Sequence, residues 1–188
     1  MDKLDIVTDE SGNEVVLLPE IIFSNKQNIN WNDVEDYLGK YVGELIEIAE
    51  TRDIIYIGNK FPDEYGGSSY TRKTKGARAK AKANAAQGIR EMVEIATDKV
   101  YRENHKEKHS EDAHNGWFYY VTRFAIPLYN NEKKTGEYNV YSACLVVNHA
   151  ANGKMYLYDV VGIKKEASNP LKTENLSLIH ISEPTRRS

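Results

Sequence analysis

Cysteine is almost absent from this chain of 188 residues, in which Cys144 is the only one. No internal disulfide can form, and the apolar segment around Cys144 predicts a small buried side chain rather than a catalytic thiol. The sequence also lacks any run approaching the ~20 apolar residues of a membrane-spanning helix, and its polar first residues do not resemble a secretion signal. These absences predict a cytoplasmic protein without membrane contact.

The chain also has no large excess of positive or negative charge, since it has 25 basic and 28 acidic residues and a net charge of -3. This balance argues against coating nucleic acid or membrane with the whole surface, so an anionic partner must be bound locally. One stretch is suited to that, because no acidic residue lies between Tyr65 and Arg90. Its basic residues are Arg72, Lys73, Lys75, Arg78, Lys80, Lys82 and Arg90.

Helical spacing of apolar residues is present in two stretches of the first half. Residues 31–49, preceded by Asn30 as a helix cap, are predicted to form a first long helix. An alanine-rich segment followed by a similar pattern predicts a second helix over about residues 76–102. Short strands are expected at residues 15–18 and 54–57, and a loop at 61–69.

The second helix, if straight, would point cations and core residues the same way, since Lys75, Arg78 and Lys82 share a face with later apolar residues. Three explanations are open. Gly88 bends or breaks the helix, or the cations line a groove, or their long side chains reach water across the alanines. The groove alternative makes Arg72, Lys75, Arg78 and Lys82 candidate nucleic-acid-binding residues.

Aromatic-rich segments in the second half predict one antiparallel sheet. Asn152-Gly153 predicts a two-residue hairpin turn, which places Leu145 opposite Val160 and Val146 opposite Asp159. The fold class expected from the whole pattern is α+β, with two main helices followed by a small antiparallel sheet of three or more strands. Its strands are expected at residues 117–126, 138–147 and 155–161.

Two charges, Arg123 and Asp159, interrupt the apolar stripes of this sheet. A buried carboxylate without a partner is costly, so Asp159 is expected to find a cation or backbone donors. One interpretation is an ion pair between Arg123 and Asp159. The other is a site at which one of the two contacts substrate.

Histidines cluster before the sheet, at His105, His109 and His114. The spacing of His105 and His109 could place both on one helix face, with Asp112 or His114 as a third zinc ligand. No cysteine or HExxH motif supports a zinc site, so solvated histidines are the favoured interpretation. Neither a metal nor another cofactor is expected.

Several separated motifs occur in a fixed order along the chain: AKANAAQGI at residues 81–89, NGW at 115–117, TRFAIP at 122–127, LYD at 157–159 and IKKE at 163–166. Together they resemble the third of the large polyvalent protein-associated domains, found in long multi-domain proteins of bacteriophages and conjugative elements. The resemblance covers residues 28–171 and implies neighbouring domains of a longer polyprotein as partners.

That family is thought to be similar to the barnase, EndoU, colicin and RelE nucleases, in which helices precede a small antiparallel sheet that cleaves RNA without metal. The resemblance therefore implies a metal-independent ribonuclease with RNA or another nucleic acid as partner. Such cleavage needs a base, an acid and a cation for the phosphorane charge. Candidate catalytic residues, chosen by their chemistry, are His109, Arg123, His149 and Lys165, and Tyr119, Tyr156 or Tyr158 could stack a base.

Two other functions stay open: a non-catalytic module that binds nucleic acid or protein through the basic segment, and a structural spacer. For domain organisation, residues 1–25 are predicted to be an N-terminal arm or edge strand and residues 26–175 one domain. Residues 176–188 resemble a translated sequencing adapter, and we expect them to be an artefact outside the fold and function.

Overall fold

The computed structural model describes residues 2–24, 28–105, 113–166 and 169–173, and the backbone of residues 178–179. Its helices are α1 (Trp31–Leu38), α2 (Phe61–Gly67), α3 (Ser69–Lys73), α4 (Gly76–Ala85) and α5 (Ile89–Glu94). Its strands are β1 (Ile6–Thr8), β2 (Glu14–Leu17), β3 (Leu45–Glu47), β4 (Ile54–Tyr56), β5 (Thr97–Arg102), β6 (Trp117–Asn130), β7 (Lys133–His149), β8 (Met155–Lys165), β9 (Leu171–Lys172) and β10 (Leu178–Ile179).

Over the described residues, these ten strands form one mixed sheet in the order β10-β1-β2-β6-β7-β8-β4-β3, with β5 beside β6 and β9 beside β7. The pairs β2–β6 and β4–β8 are parallel, whereas the others are antiparallel. The predicted fold class, two main helices followed by a small antiparallel sheet, is therefore wrong. The three aromatic strands exist as expected, but segments before them also fold as strands and extend the sheet.

The helices cover one face of the sheet, here called the inner face. Tyr120, Phe124 and Leu145 of this face are almost fully buried against Val34 of α1 and Met92 of α5. Burial of each such side chain stabilises the fold by about 1.5–3 kcal/mol, so this layer is the main core. Among the described residues, every helix is too short or too polar to cross a membrane.

The first predicted helix is correct only in its first half. Asn30 caps α1 as expected, accepting a hydrogen bond from the Asn32 N–H at 3.1 Å, but α1 ends at Leu38 and residues 45–47 form β3. Gly43 turns the chain with a φ of 95°, which a helix cannot accommodate. After this turn the burial alternates, with Leu45 60% exposed and Ile46 buried, as in a strand.

The second predicted helix is broken into three parts, of which the last is a strand. A short 3₁₀ turn over residues 86–88 separates α4 from α5, as expected from the first of the three open explanations, in which Gly88 breaks the helix. A side chain at Gly88 would come within 3.0 Å of Leu18, so glycine permits close packing there. Residues 97–102 form β5 because Val100 and Tyr101 pair with the aromatic start of β6. Residues 61–69, predicted as a loop, contain α2 and the start of α3 instead.

The β7–β8 hairpin has the predicted register in its middle, where Leu145 lies opposite Val160 and Val146 opposite Asp159. Nearer the turn, the prediction is wrong by one residue. The shifted pairs are His149 with Met155, Asn148 with Tyr156 and Val147 with Leu157.

The loop of this hairpin explains the shift. Gly153 has a φ of 86°, and its N–H donates to the Ala150 carbonyl at 3.0 Å, so the loop has three residues rather than two. A β-bulge in β8 at Tyr158 restores the register, so that Asp159 again lies opposite Val146.

Asp53, directly before β4, anchors β5 and β6 to the β3–β4 turn. Its Oδ2 lies 2.8 Å from the Lys99 ammonium and accepts hydrogen bonds from the Tyr120 and Thr51 hydroxyls, also at 2.8 Å. Burial by itself raises the pKa of Asp53, but these contacts outweigh burial and hold the pKa below its ordinary value.

Asp53→Asn is expected to lower the free energy of unfolding by about 1–3 kcal/mol at about pH 7, since it weakens charge-assisted hydrogen bonds. A carboxyl with a depressed native pKa stabilises the fold above its unfolded pKa and loses that effect as pH falls through the native value. The difference between the unaltered protein and the variant, measured by urea unfolding, should therefore shrink toward about pH 3. A difference that does not change with pH contradicts this account.

Candidate nucleic-acid interface

The three predicted catalytic residues that the structure describes do not share a groove. His109 lies outside the described residues. Arg123 lies on the outer face of the sheet, whereas His149 lies on the inner side, with its ring 5.6 Å from that of Phe118. Lys165 is eight residues along β7 from the His149 position, or about 26 Å. Arg123, His149 and Lys165 therefore lie too far apart, or on opposite faces of the sheet, to act together.

Arg123 forms an ion pair, but not the predicted one with Asp159. Its Nε donates to Glu166 Oε1 at 3.0 Å. Tyr119 lies four residues along the same strand, about 13 Å away. Arg123 therefore lies in the middle of the outer face, where it is paired with Glu166. It does not line the aromatic cleft described below.

Lys82 and Asp159 form a buried ion pair instead. Lys82 is 0% exposed, and its ammonium donates to Asp159 Oδ1 and to Thr71 Oγ1, both at 2.6 Å. The Val160 N–H also donates to Asp159 Oδ1 at 2.8 Å. The expectation that Asp159 finds a cation and backbone donors is confirmed, but Lys82 cannot contact a nucleic acid in this fold. Its long side chain turns inward rather than to a groove or to water.

The environment of this pair is aromatic and enclosed. The Lys82 ammonium lies 4.6 Å from the ring centroid of Tyr65 and 5.0 Å from that of Tyr70. Burial lowers the pKa of Lys82 and raises the pKa of Asp159, because both charged forms lose hydration, and the contact between the two charges offsets part of each shift.

Three other residues were predicted to bind nucleic acid: Arg72, Lys75 and Arg78. All three are exposed, around the end of α3 and the start of α4. With Lys73, which is also exposed, they form what we call the basic edge. A cavity of 610 Å³ and another of 510 Å³ lie along it. These four cations and Lys80, which is also exposed and lines the 610 Å³ cavity, are the part of the acid-free segment that a phosphate backbone can approach.

A second feature, the aromatic cleft, lies on the outer face of the sheet at the start of β6 and has a volume of 500 Å³. The rings of Trp117 and Tyr158 meet edge to face in it, with centroids 5.0 Å apart, and the Arg102 guanidinium lies 5.6 Å from the ring centroid of Tyr119. The bulge in β8 positions Tyr158 here. The cleft is lined by Arg102, Glu103, Asn104, His105, Trp117, Tyr119, Val146 and Tyr158.

A linking cavity of 390 Å³ joins these two features. It shares Tyr70 and Arg72 with the cavities of the basic edge, and Val146 and Tyr158 with the aromatic cleft. Because neighbouring cavities share lining residues, the basic edge, the linking cavity and the aromatic cleft lie next to one another, and together we call them the interface band. It carries cations at one end and aromatic rings with Arg102 at the other.

The sequence did not single out Arg102 and Glu103, and considered His105 only as a zinc ligand. Over the described ranges, no three histidine, cysteine or carboxylate side chains come close enough to hold a metal ion; His109 and Asp112 lie outside those ranges. The alternation of Trp117 and Tyr119 on one strand face is the signal that could have indicated the cleft. Tyr119 and Tyr158, predicted as possible stacking residues, do line it.

Comparison of the chain with protein-family models, curated proteins and solved structures finds no match. The resemblance to the polyvalent-protein domain, and the activity it implies, therefore stay predictions.

Lys82→Met is expected to lower the free energy of unfolding by about 3–5 kcal/mol, because it leaves the Asp159 charge buried without its partner. Combining it with Asp159→Leu should recover most of that loss, since an apolar pair of similar size has no charge to desolvate. Lys80→Met, at an exposed position of the same helix, is the control and should change stability by less than about 0.5 kcal/mol. Urea unfolding measures all three, and equal effects of Lys82→Met and Lys80→Met contradict the role of burial.

Proposed function

We propose that this domain binds single-stranded RNA along the interface band. The observation that carries the proposal is the adjacency of the parts of the band, in which the linking cavity lies between exposed cations and an aromatic cleft. Proteins that bind single strands combine these two elements, because cations hold the phosphate backbone and aromatic rings stack on unpaired bases. The resemblance to a nuclease-like family points to the same class of partner.

The two ends of the band have different roles in this proposal. Arg72, Lys75 and Arg78 attract phosphates without reading sequence, and their contribution weakens as salt rises. Tyr119 and Tyr158 offer ring surface to bases, each stacked base contributing about 1–3 kcal/mol. In a duplex, the faces of the bases are stacked on one another and cannot stack on a tyrosine ring. The aromatic cleft therefore favours single strands over double strands.

The charge end is tested by the triple variant Arg72→Gln, Lys75→Gln and Arg78→Gln. Fluorescence anisotropy with an oligouridylate of about 15 nucleotides should show weaker binding and a flatter dependence of log Kd on log salt, by about 2 for three lost phosphate contacts. Lys133→Gln with Lys134→Gln, exposed at the β6–β7 turn outside the band, is the matched control. Absence of RNA binding by the unaltered protein, or an unchanged triple variant, overturns the proposal.

A second candidate function, metal-independent cleavage of the bound RNA, is favoured by the polar groups of the aromatic cleft. Glu103, His105 and Arg102 line it together. A carboxylate or imidazole can take the proton of a 2′-hydroxyl, an imidazolium can protonate the leaving oxygen, and a guanidinium can stabilise the phosphorane charge. This set replaces His109, Arg123, His149 and Lys165 as the hypothesis for catalysis.

Cleavage is tested by incubating labelled single-stranded RNA with the protein in excess chelator. His105→Ala is expected to slow cleavage by at least about 100-fold, the usual effect of losing a general acid or base. His114→Ala, which removes an exposed histidine outside the cleft, should leave the rate unchanged. If the unaltered protein does not cleave RNA, the domain is a binding module; if His105→Ala cleaves normally, the assigned groups are wrong.

A further inference from the structure

The edge of β1 that faces away from β2 is occupied by β10. The two strands are antiparallel, with Ile6 opposite Ile179 and Val7 opposite Leu178. Residues 178–179 belong to the stretch that resembles a translated sequencing adapter. A sequence of that origin was not selected to fit this domain, so the pairing reflects a property of β1 rather than of its occupant.

The backbone of β1 directs hydrogen-bonding groups at this edge. Toward β2, the Asp5 carbonyl accepts a hydrogen bond from the Leu17 N–H at 2.9 Å. Just beyond β1, the Asp9 N–H donates to the Asn13 carbonyl on the same side, also at 2.9 Å. Successive residues of a strand direct their backbone groups to alternate sides, so the N–H and carbonyl of Ile6 point away from β2. Such an edge is a template for one more strand.

The side chains of β1 are apolar toward both faces of the sheet. Ile6 joins the main core under the helices, whereas Val7 joins a second cluster on the outer face with Val15 and Val140. Ile6 is 0% exposed and Val7 is 2% exposed. A strand added beside β1 therefore continues an apolar surface on each face. Aliphatic residues at successive positions suit it, as in strands that are buried on both sides.

Exposed carboxylates flank this edge at both ends. Asp2 and Asp5 precede β1, and Glu10 follows it. Lys3 lies between the two aspartates, but its ammonium is paired with Glu94 of α5 at 2.6 Å. Basic residues on either side of an added strand therefore meet opposite charge.

From these observations we infer that the edge of β1 is a docking site for an extended segment of a partner protein, which adds as an antiparallel strand. The segment carries successive aliphatic residues between basic ones. Hydrogen bonds to the backbone of Ile6 supply affinity, while the two apolar faces and the flanking carboxylates supply specificity. The residues that line the interface band lie outside β1, so this docking is independent of the proposed RNA binding.

The first part of the test measures hydrogen exchange of single backbone amides by NMR. Ile179→Pro removes the N–H that β10 directs at Ile6, so exchange of the Ile6 amide should become at least about 10-fold faster. The Val7 amide, which is directed at β2, is the internal control and should exchange slowly throughout. Ser182→Pro places the proline outside β10 and is the matched control variant, with slow exchange at Ile6.

The second part adds the peptide Lys-Ser-Val-Ile-Val-Ser-Lys to Ile179→Pro, in which the edge is open. The peptide should slow Ile6 exchange by about 10-fold and leave Val7 unchanged. A peptide with glutamate in place of both lysines should bind about 10-fold more weakly by fluorescence anisotropy, because its charges face Asp5 and Glu10. The unaltered protein, whose edge is filled by β10, should bind either peptide less tightly than the variant does.

A peptide that does not slow Ile6 exchange overturns the docking site, and so does an Ile6 amide that exchanges equally in Ile179→Pro and the unaltered protein. Equal binding of the two peptides overturns the basic character of the partner. Rapid exchange at Val7 in Ile179→Pro would show that the proline loosens β1 itself. The same measurements are then made on Leu178→Gly with Ile179→Gly, which weakens β10 through poor strand propensity and adds no proline. RNA binding by every variant should be unchanged.

Discussion

The ion pair between Lys82 and Asp159 connects parts of the fold that would otherwise meet only through apolar contacts. Lys82 lies on α4 and Asp159 on β8, and Thr71, which accepts from the same ammonium, lies on α3. A buried ion pair is tolerated only when the geometry of the contact compensates both charges for their lost hydration. Helix α4 and strand β8 are therefore held at one relative position. The alanines beside Lys82 leave the room that this inward side chain needs.

The same contact separates the roles of neighbouring cations. Lys82 is committed to the interior, while Arg78 and Lys75 remain on the surface. Beyond its short pairing with β4, β8 is contacted by α2 and α4, and the Tyr70 hydroxyl of α3 accepts a hydrogen bond from the Ile163 N–H at 2.9 Å. The linking cavity lies where this cover ends. The position of the interface band is therefore set by the way in which the helices cover the edge of β8.

The sequence was informative where the pattern was local. The Asn30 cap and the middle register of the β7–β8 hairpin depend on residues close together in the chain, and they were predicted correctly; the break at Gly88 was one of three explanations left open. The spacing of apolar residues after Leu38 fits a helix and a strand equally well, and only the turn at Gly43 decides between them. Predicted site residues failed for another reason. Which face of the sheet a side chain occupies, and how deeply it is buried, depend on residues far away in the chain, as Lys82 and Asp159 show. The periodicity of apolar residues does not indicate such a distant partner.

The two parallel strand pairs also affect how the chain acquires its fold. Val16 of β2 pairs with Phe124 and Ile55 of β4 pairs with Met155, so each contact closes a loop on the order of 100 residues. During synthesis, both early strands emerge long before the strands that they will join. β2 can pair with β1, and β4 with β3, as soon as each hairpin has been made, but the other edge of β2 and of β4 must wait until β6 and β8 leave the ribosome. The two parallel pairings of the sheet therefore form only after most of the chain has been made.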